Sequence, residues 1–99
     1  MTAGIVGFDL YHWYGRILGP KGSCYYGGTF FVDIIIPDDY PNDPPFVRFV
    51  TKIWHPNIDS EKGLIRHDIL SIKWKPHMTL LTVLTALYSM LAKPNLFYP

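Results

Sequence analysis

The chain has 99 residues, and its 48% hydrophobic and 16% aromatic content is typical of one core-forming domain spanning residues 1–99. Its formal net charge is +1, with acids and bases mixed along the chain, so we expect neither a nucleic-acid partner nor a membrane-surface partner. No apolar run reaches the roughly 18 residues of a transmembrane helix, and the first residues lack the pattern of a secretory signal. One cysteine, Cys24, cannot form an internal disulfide, which favours a cytoplasmic or nuclear location.

Strands are predicted in the first half of the chain, after a lead-in over residues 1–9 that has no helix of its own. Aromatic and β-branched residues favour strands at Leu10–Leu18, Thr29–Ile36 and Phe46–Ile53. The prolines and aspartates of Pro37–Pro45 exclude regular structure there. Three consecutive strands with short connections predict an antiparallel β-meander.

A single helix is predicted over Leu80–Lys93, with Thr79 as its N-cap and Pro94 as its stop. Its apolar face is formed by leucines at helical spacing, namely Leu80, Leu84, Leu87 and Leu91. A sheet and a helix that each bury one apolar face pack as two layers. The sequence therefore predicts an α+β fold, an antiparallel β-meander packed on a central helix.

The stretch Trp54–Trp74 has neither helical nor strand periodicity, yet it is too apolar for a solvated loop. Long irregular segments in small domains are usually functional. Pro56 biases His55 towards an extended backbone, and Gly63 favours a turn with positive φ. We therefore expect an ordered loop that presents a few polar side chains.

Short motifs run along nearly the whole chain. The most specific begins at His55-Pro56-Asn57, continues through Gly63–Leu70 (GLIRHDIL) and ends at Trp74-Lys75-Pro76. The others, in chain order, are Tyr11-His12-Trp13, Leu18-Gly19-Pro20, Tyr25-Tyr26-Gly27-Gly28, Pro37-Asp38-Asp39-Tyr40-Pro41 and Pro44-Pro45. In order and approximate spacing, these motifs resemble those of the ubiquitin-conjugating enzymes. Family members have one helix before the first strand and two after the central helix. The resemblance thus implies a UBC-like fold missing its first and last helices.

Arg66 stands where this family has its active-site cysteine. In the family, that thiolate takes ubiquitin from an activating enzyme as a thioester, which a substrate lysine then attacks. A guanidinium stays protonated and offers only hydrogen-bond donors, so it cannot form the intermediate. Neither Ile65 nor His67 can replace the thiolate. The resemblance therefore implies that no catalytic residue is intact.

The tripeptide His55, Pro56 and Asn57 is retained from the family's site. Its asparagine holds the loop and stabilises an oxyanion in family members; with Arg66 present, a structural role is the favoured interpretation of Asn57. Cys24 is interpreted as an ordinary loop thiol. The histidines His12, His55, His67 and His77 show no metal-ligand spacing, so neither a metal nor another cofactor is expected.

Two further departures from the family pattern concern surfaces. Asn42 replaces an apolar residue that contacts RING-type ligases in the family, and Pro76-His77 replaces a Pro-small pair. Losing an apolar anchor at an interface costs roughly 2 kcal/mol, so ligase binding at Asn42, Pro76 and His77 is expected to be weak. Leu96-Phe97-Tyr98 occupy positions that are often acidic in the family.

The resemblance and Arg66 together predict a catalytically inactive variant, a pseudoenzyme that binds proteins of the ubiquitin pathway. Its expected partners are ubiquitin or a ubiquitin-like protein, a RING-type ligase or an active conjugating enzyme. Two alternatives stay open. One is an active conjugating enzyme that transfers ubiquitin to substrate lysines through an unrecognised nucleophile, and the other is an incomplete gene product without function.

Overall fold

The structure, a computed structural model, describes residues 2–93 apart from the side chain of Asp68. The predicted departure at Leu96-Phe97-Tyr98 lies outside these residues. The described part contains four antiparallel strands in the order β1-β2-β3-β4 and one α-helix, which confirms the α+β prediction. The elements are β1 (Thr2–Val6), β2 (Asp9–Leu18), β3 (Thr29–Ile35), β4 (Phe46–Phe49) and α1 (Leu80–Ala92), with a single 3-10 turn at Asp68–Leu70.

The strand β1 corrects the sequence analysis, which placed no strand before Leu10. β1 pairs with β2 in the register Ala3↔Gly15, and the register shifts between Ile5 and Val6. Gly7, with φ 60°, closes the hairpin. The β-branched residues of β1 favour a strand, but a tertiary contact, the pairing with β2, fixes it in place.

The last strand, β4, is shorter than predicted, because it ends at Phe49 rather than at Ile53. The amides of Val50 and Thr51 both donate to the carbonyl oxygen of Phe31, at 2.8 and 3.3 Å. The amide of Phe31 in turn donates to Thr51 Oγ1 at 2.9 Å. This side-chain contact replaces the regular ladder, so the strand stops there.

The helix α1 begins where the sequence predicted. Thr79 Oγ1 accepts a hydrogen bond from the amide of Thr82, and Thr82 Oγ1 accepts one from the amide of Thr79, both at 3.2 Å. This reciprocal capping box satisfies two amides that the helix itself leaves unpaired. The helix ends at Ala92, one residue earlier than predicted, and the C-cap Lys93 donates to the carbonyl oxygen of Ser89 at 2.8 Å.

The core lies between α1 and the inner face of the sheet. Gly15 allows the two layers to approach closely, because a Cβ there would lie 2.8 Å from both Leu84 Cδ2 and Val32 Cγ2. The buried apolar residues of the core are Ile17, Val32, Ile34, Val47, Phe49, Ile53, Ile58, Trp74, Val83, Leu84, Leu87, Met90 and Leu91. Two of these, Ile58 and Trp74, come from the long irregular stretch Trp54–Trp74, and Ile53 directly precedes it. That stretch is therefore part of the core rather than a surface appendage.

Within residues 2–93, none of the helical segments has both the length and the apolar character needed to cross a membrane.

Candidate functional site

The tripeptide His55-Pro56-Asn57 is tied to the helix through the imidazole of His55. Nε2 lies 2.9 Å from the carbonyl oxygen of Met90 in α1, and Nδ1 accepts a hydrogen bond from the amide of Asn57 at 3.0 Å. A carbonyl can only accept and an amide can only donate, so this pair of contacts assigns the neutral tautomer with the proton on Nε2. Burial lowers the pKa of His55, and the hydrogen bond to Met90 only partly opposes that effect. His55 is thus a neutral structural bridge.

Tyr25, in the loop between β2 and β3, braces the other side of His55. Its hydroxyl donates to the carbonyl oxygen of Trp54 at 2.5 Å, and its ring centroid lies 5.8 Å from that of His55. Burial raises the pKa of Tyr25, with a further contribution from the neighbouring Cys24 thiol. The motif containing Tyr25 did not predict this role, because the partners of Tyr25 lie about thirty residues away in the chain.

A tight turn over residues 59–63 precedes the position of the family's cysteine. Asp59 Oδ1 accepts hydrogen bonds from the amides of Glu61 and Lys62, at 2.9 and 3.3 Å, and these two contacts lower the pKa of Asp59. The amide of Gly63 donates to the carbonyl oxygen of Asp59 at 2.7 Å. An aspartate that bonds the next backbone amides is a common local turn signal. The turn over residues 59–63 was not predicted, although Asp59 provides this local signal in the sequence.

Gly63 has φ 73°, which confirms the predicted positive-φ turn. It also lies against β4, where the amide of Phe49 donates to the Gly63 carbonyl oxygen at 2.8 Å. A Cβ on Gly63 would lie 2.0 Å from the carbonyl oxygen of Phe49. The turn is therefore fixed to the sheet by backbone contact that only glycine permits.

Arg66 follows this turn with its side chain exposed to solvent. Its amide donates to the carbonyl oxygen of Asn57 at 2.8 Å, and Ile58 forms isolated bridges with both His55 and Ile65. The structure therefore brings the backbone of Arg66 against Asn57 of the retained tripeptide. Asn57 is fully buried, and its structural role stays a prediction.

The other candidate nucleophiles and ligands of the site are Cys24 and His67. Cys24 is an exposed free thiol in the loop between β2 and β3, and the half-buried His67 accepts a hydrogen bond at Nδ1 from the amide of Ile69 at 3.1 Å. Within the described ranges, His, Cys, Asp and Glu side chains form no group of three that could hold a metal ion. What the site presents to solvent beside the tripeptide is thus a fixed positive charge.

The two predicted ligase-contacting loops are joined through Trp74. Its indole Nε1 donates to the carbonyl oxygen of Pro41 at 2.8 Å, and its ring centroid lies 5.9 Å from that of Tyr40, which precedes Pro41 through a cis peptide bond. The two loops are therefore packed together through Trp74. The residues predicted to contact a ligase are exposed on these loops: Asn42, Pro76 and His77.

The fold and the motif geometry define a protein of the UBC class, and comparison with known proteins supports the same assignment. The family model of the ubiquitin-conjugating enzymes matches residues 1–99. The chain belongs to the ubiquitin-conjugating enzyme family.

Two solved structures show the extent of the similarity. The E2 domain of a Toxoplasma gondii ubiquitin conjugating enzyme is 52% identical, with a TM-score of 0.93 over 95% of this chain and 65% of that one. A Plasmodium yoelii protein assigned to the ubiquitin conjugating enzymes is 45% identical, with a TM-score of 0.89 over 94% of this chain and 60% of that one. The chain thus spans less than two thirds of either solved relative, at 65% and 60%.

Proposed function

We propose that this chain is a non-catalytic member of the ubiquitin-conjugating enzyme family that binds proteins of the ubiquitin pathway without forming a thioester. One observation carries the proposal: Arg66 stands at the position of the family's cysteine, with its amide bonded to the Asn57 carbonyl oxygen and its side chain in solvent. The loop around the site is intact. The change is therefore in the reactive group rather than in the fold that presents it.

The chemistry of thioester formation explains why this one residue decides the activity. The step needs a nucleophile that attacks an acyl group and later leaves as a stable thiolate. The guanidinium of Arg66 has no free electron pair to offer and remains protonated at physiological pH. It adds positive charge at the site and supplies no route to a covalent intermediate.

Cys24 gives the alternative function, that of an active enzyme, its single supporting observation. It is the chain's one cysteine, and it is exposed. Cys24 does not stand at the family's cysteine position, which argues against a role in the family's reaction, but its neighbour Tyr25 contacts Trp54 and His55. The experiment below tests it directly.

Ubiquitin or a ubiquitin-like protein, a ligase and an active conjugating enzyme are the proposed partners. Asn42, Pro76 and His77 are exposed on the two loops that Trp74 joins, and a RING-type ligase would bind at these loops. An asparagine cannot supply the apolar anchor that an interface centre needs. We therefore propose that ligase binding is weak and that ubiquitin or a conjugating enzyme is the stronger partner.

A charging assay tests the catalytic half of this proposal. The chain is incubated with activating enzyme, ATP and ubiquitin, beside a catalytically competent family member, and the products are separated on a non-reducing gel. We expect an adduct only with the competent enzyme. A reductant-sensitive adduct on this chain would overturn the proposal, and its loss in Cys24→Ala would identify the acceptor.

Binding is measured separately, because a chain that fails to charge can also fail to bind. Titration of the labelled chain with ubiquitin, and then with an active conjugating enzyme, should shift backbone amide resonances in a saturable way. If none of the proposed partners produces a shift, the incomplete-product alternative is favoured instead.

A further inference from the structure

The two edges of the sheet, β1 and β4, differ in their backbone hydrogen bonds to other segments of the chain. At the β4 edge, the amide of Phe49 donates to the Gly63 carbonyl oxygen at 2.8 Å. Arg48 also forms an isolated antiparallel β-bridge with Leu64. At the β1 edge, no backbone hydrogen bond joins the outward side of the strand to another segment within residues 2–93. One edge is therefore closed by the turn before Arg66, and the other is open.

The open edge lacks two of the features that usually prevent strand pairing. Natural edge strands are protected by charged side chains, prolines, bulges or very short length. β1 has five residues, Thr2–Val6, and contains neither a charge nor a proline; its register shift lies between Ile5 and Val6, at one end of the strand. Ile5 and Val6 are 37% and 39% exposed. The strand thus offers unpaired amides and carbonyls together with apolar side chains.

We propose that β1 pairs antiparallel with β1 of a second copy of this chain, so that two four-stranded sheets become one eight-stranded sheet. Directly paired residues in antiparallel strands lie on the same face of the sheet. The two-fold axis must therefore lie midway between one residue and the same residue of the other copy. Gly4 is the middle residue of β1, and an axis there sets Ala3 of each copy opposite Ile5 of the other. The helices of both copies then lie on one side of the joined sheet.

A second copy fits this edge for two reasons. First, an isologous contact uses the same patch, here β1, on both copies. Second, β1 carries no charge, so two copies of it pair without like-charge repulsion. The centre is also free of obstruction. Gly4 has no side chain, and the ring of Tyr14 already covers its outer face, since a Cβ on Gly4 would lie 2.9 Å from Tyr14 Cε1. Another strand can therefore approach Gly4 in the plane of the sheet.

The contact is small, because five residues pair on each side. Stable dimers bury about 1,200–2,000 Å² in total, and a single strand pair provides less. We therefore expect a dimer that forms at high protein concentration and dissociates on dilution. The proposed dimer does not depend on ubiquitin or on Arg66, so its test is independent of the proposed function.

Sedimentation velocity of the 99-residue chain over a dilution series tests the proposal, with three proteins compared. The wild-type chain should pass from monomer to dimer as concentration rises. Ile5→Lys places a charge at the edge and should remain monomeric throughout. Phe8→Lys is the matched control: Phe8 is more exposed than Ile5 but lies outside β1, so this variant should still dimerise.

Amide hydrogen exchange on the wild-type chain gives a readout that needs no variant. In the dimer, every second amide of β1 gains a partner, so protection within Thr2–Val6 should rise with protein concentration while the β4 edge stays unchanged. A wild-type chain that is monomeric at every concentration overturns the proposal. So does loss of the dimer in Phe8→Lys to the same extent as in Ile5→Lys, which would indicate non-specific apolar contact.

Discussion

The imidazole Nε2 of His55 lies 2.9 Å from the carbonyl oxygen of Met90, and this contact joins the loop that carries Arg66 to the last turns of α1. The other ring nitrogen holds the amide of Asn57 at 3.0 Å. One neutral side chain therefore sets the position of the retained tripeptide relative to the core. The loop and the helix are coupled through it.

The free energy of unfolding should decrease as the pH is lowered, and His55 should account for part of that decrease. Burial lowers its pKa, so the unfolded chain takes up a proton near the ordinary value of about 6.5 while the folded chain stays neutral. The contribution is fully present above the unfolded pKa and is lost as pH falls towards the folded pKa. We expect the urea midpoint to drop between about pH 7 and about pH 5, and His55→Gln to flatten that dependence. His77→Gln, at an exposed position, is the control; an unchanged slope in His55→Gln would contradict the assignment.

Those parts of the fold set by local pattern could be predicted from the sequence. The strands β2 and β3 and the helix, with Thr79 as its cap, follow from periodicity and from turn and capping residues close in the chain. β1 was missed because five residues carry too little pattern, and its pairing with β2 decides its structure. β4 ends early because of Phe31, about twenty residues away.

The candidate site shows the same division. The resemblance to the family identified His55, Asn57 and Arg66, and the structure brings the Arg66 amide against the Asn57 carbonyl oxygen. The anchors of the site are not local: His55 reaches Met90, and Tyr25 reaches Trp54. No sequence pattern encodes contacts between such distant positions, so they become visible only in the folded chain.

Gly63→Ala should destabilise the chain more than Gly22→Ala. Both glycines have positive φ, 73° and 87°, so alanine at either position carries a backbone strain of about 1–2 kcal/mol. Gly22 has open space around its Cβ position, whereas a Cβ on Gly63 would lie 2.0 Å from the Phe49 carbonyl oxygen. Since backbone must shift to relieve that overlap, we expect a further loss of about 1–3 kcal/mol. Urea unfolding of both variants measures the difference, and equal losses would show that the turn is not fixed to β4.

Thr79→Ala should lower the free energy of unfolding by about 1 kcal/mol, because it removes the side chain that accepts from the Thr82 amide at the start of α1. Thr85→Ala is the matched control. Thr85 lies exposed within the helix, where alanine has the higher helix propensity, so this substitution should be neutral or slightly stabilising. The midpoints of urea unfolding compare the two. A loss in Thr85→Ala as large as that in Thr79→Ala would contradict the capping role.

Arg66→Cys restores the type of residue that the family uses, and we predict that it alone recovers little or no ubiquitin charging. Position 66 contributes its backbone amide to the bond with the Asn57 carbonyl oxygen, and the Gly63 turn is held by backbone bonds of other residues, so the substitution should leave the loop unchanged. The introduced thiol should be accessible, because the side chain at this position is exposed. Reaction of Arg66→Cys in a Cys24→Ala background with a thiol reagent checks that accessibility before any enzyme is added.

Failure to charge would then come from recognition rather than from the nucleophile. In other family members the activating enzyme binds the first helix, and the chain spans 65% and 60% of the two solved structures compared above. Joining the first helix of a full-length relative to Arg66→Cys should therefore raise the thioester yield above that of Arg66→Cys alone, with the same helix joined to the Arg66 chain as the blank. Thioester yields are read on non-reducing gels under identical conditions. Full charging of Arg66→Cys without the added helix would show that one residue separates this chain from an enzyme, and a reactive but uncharged thiol in both variants would place the second lesion elsewhere in the chain.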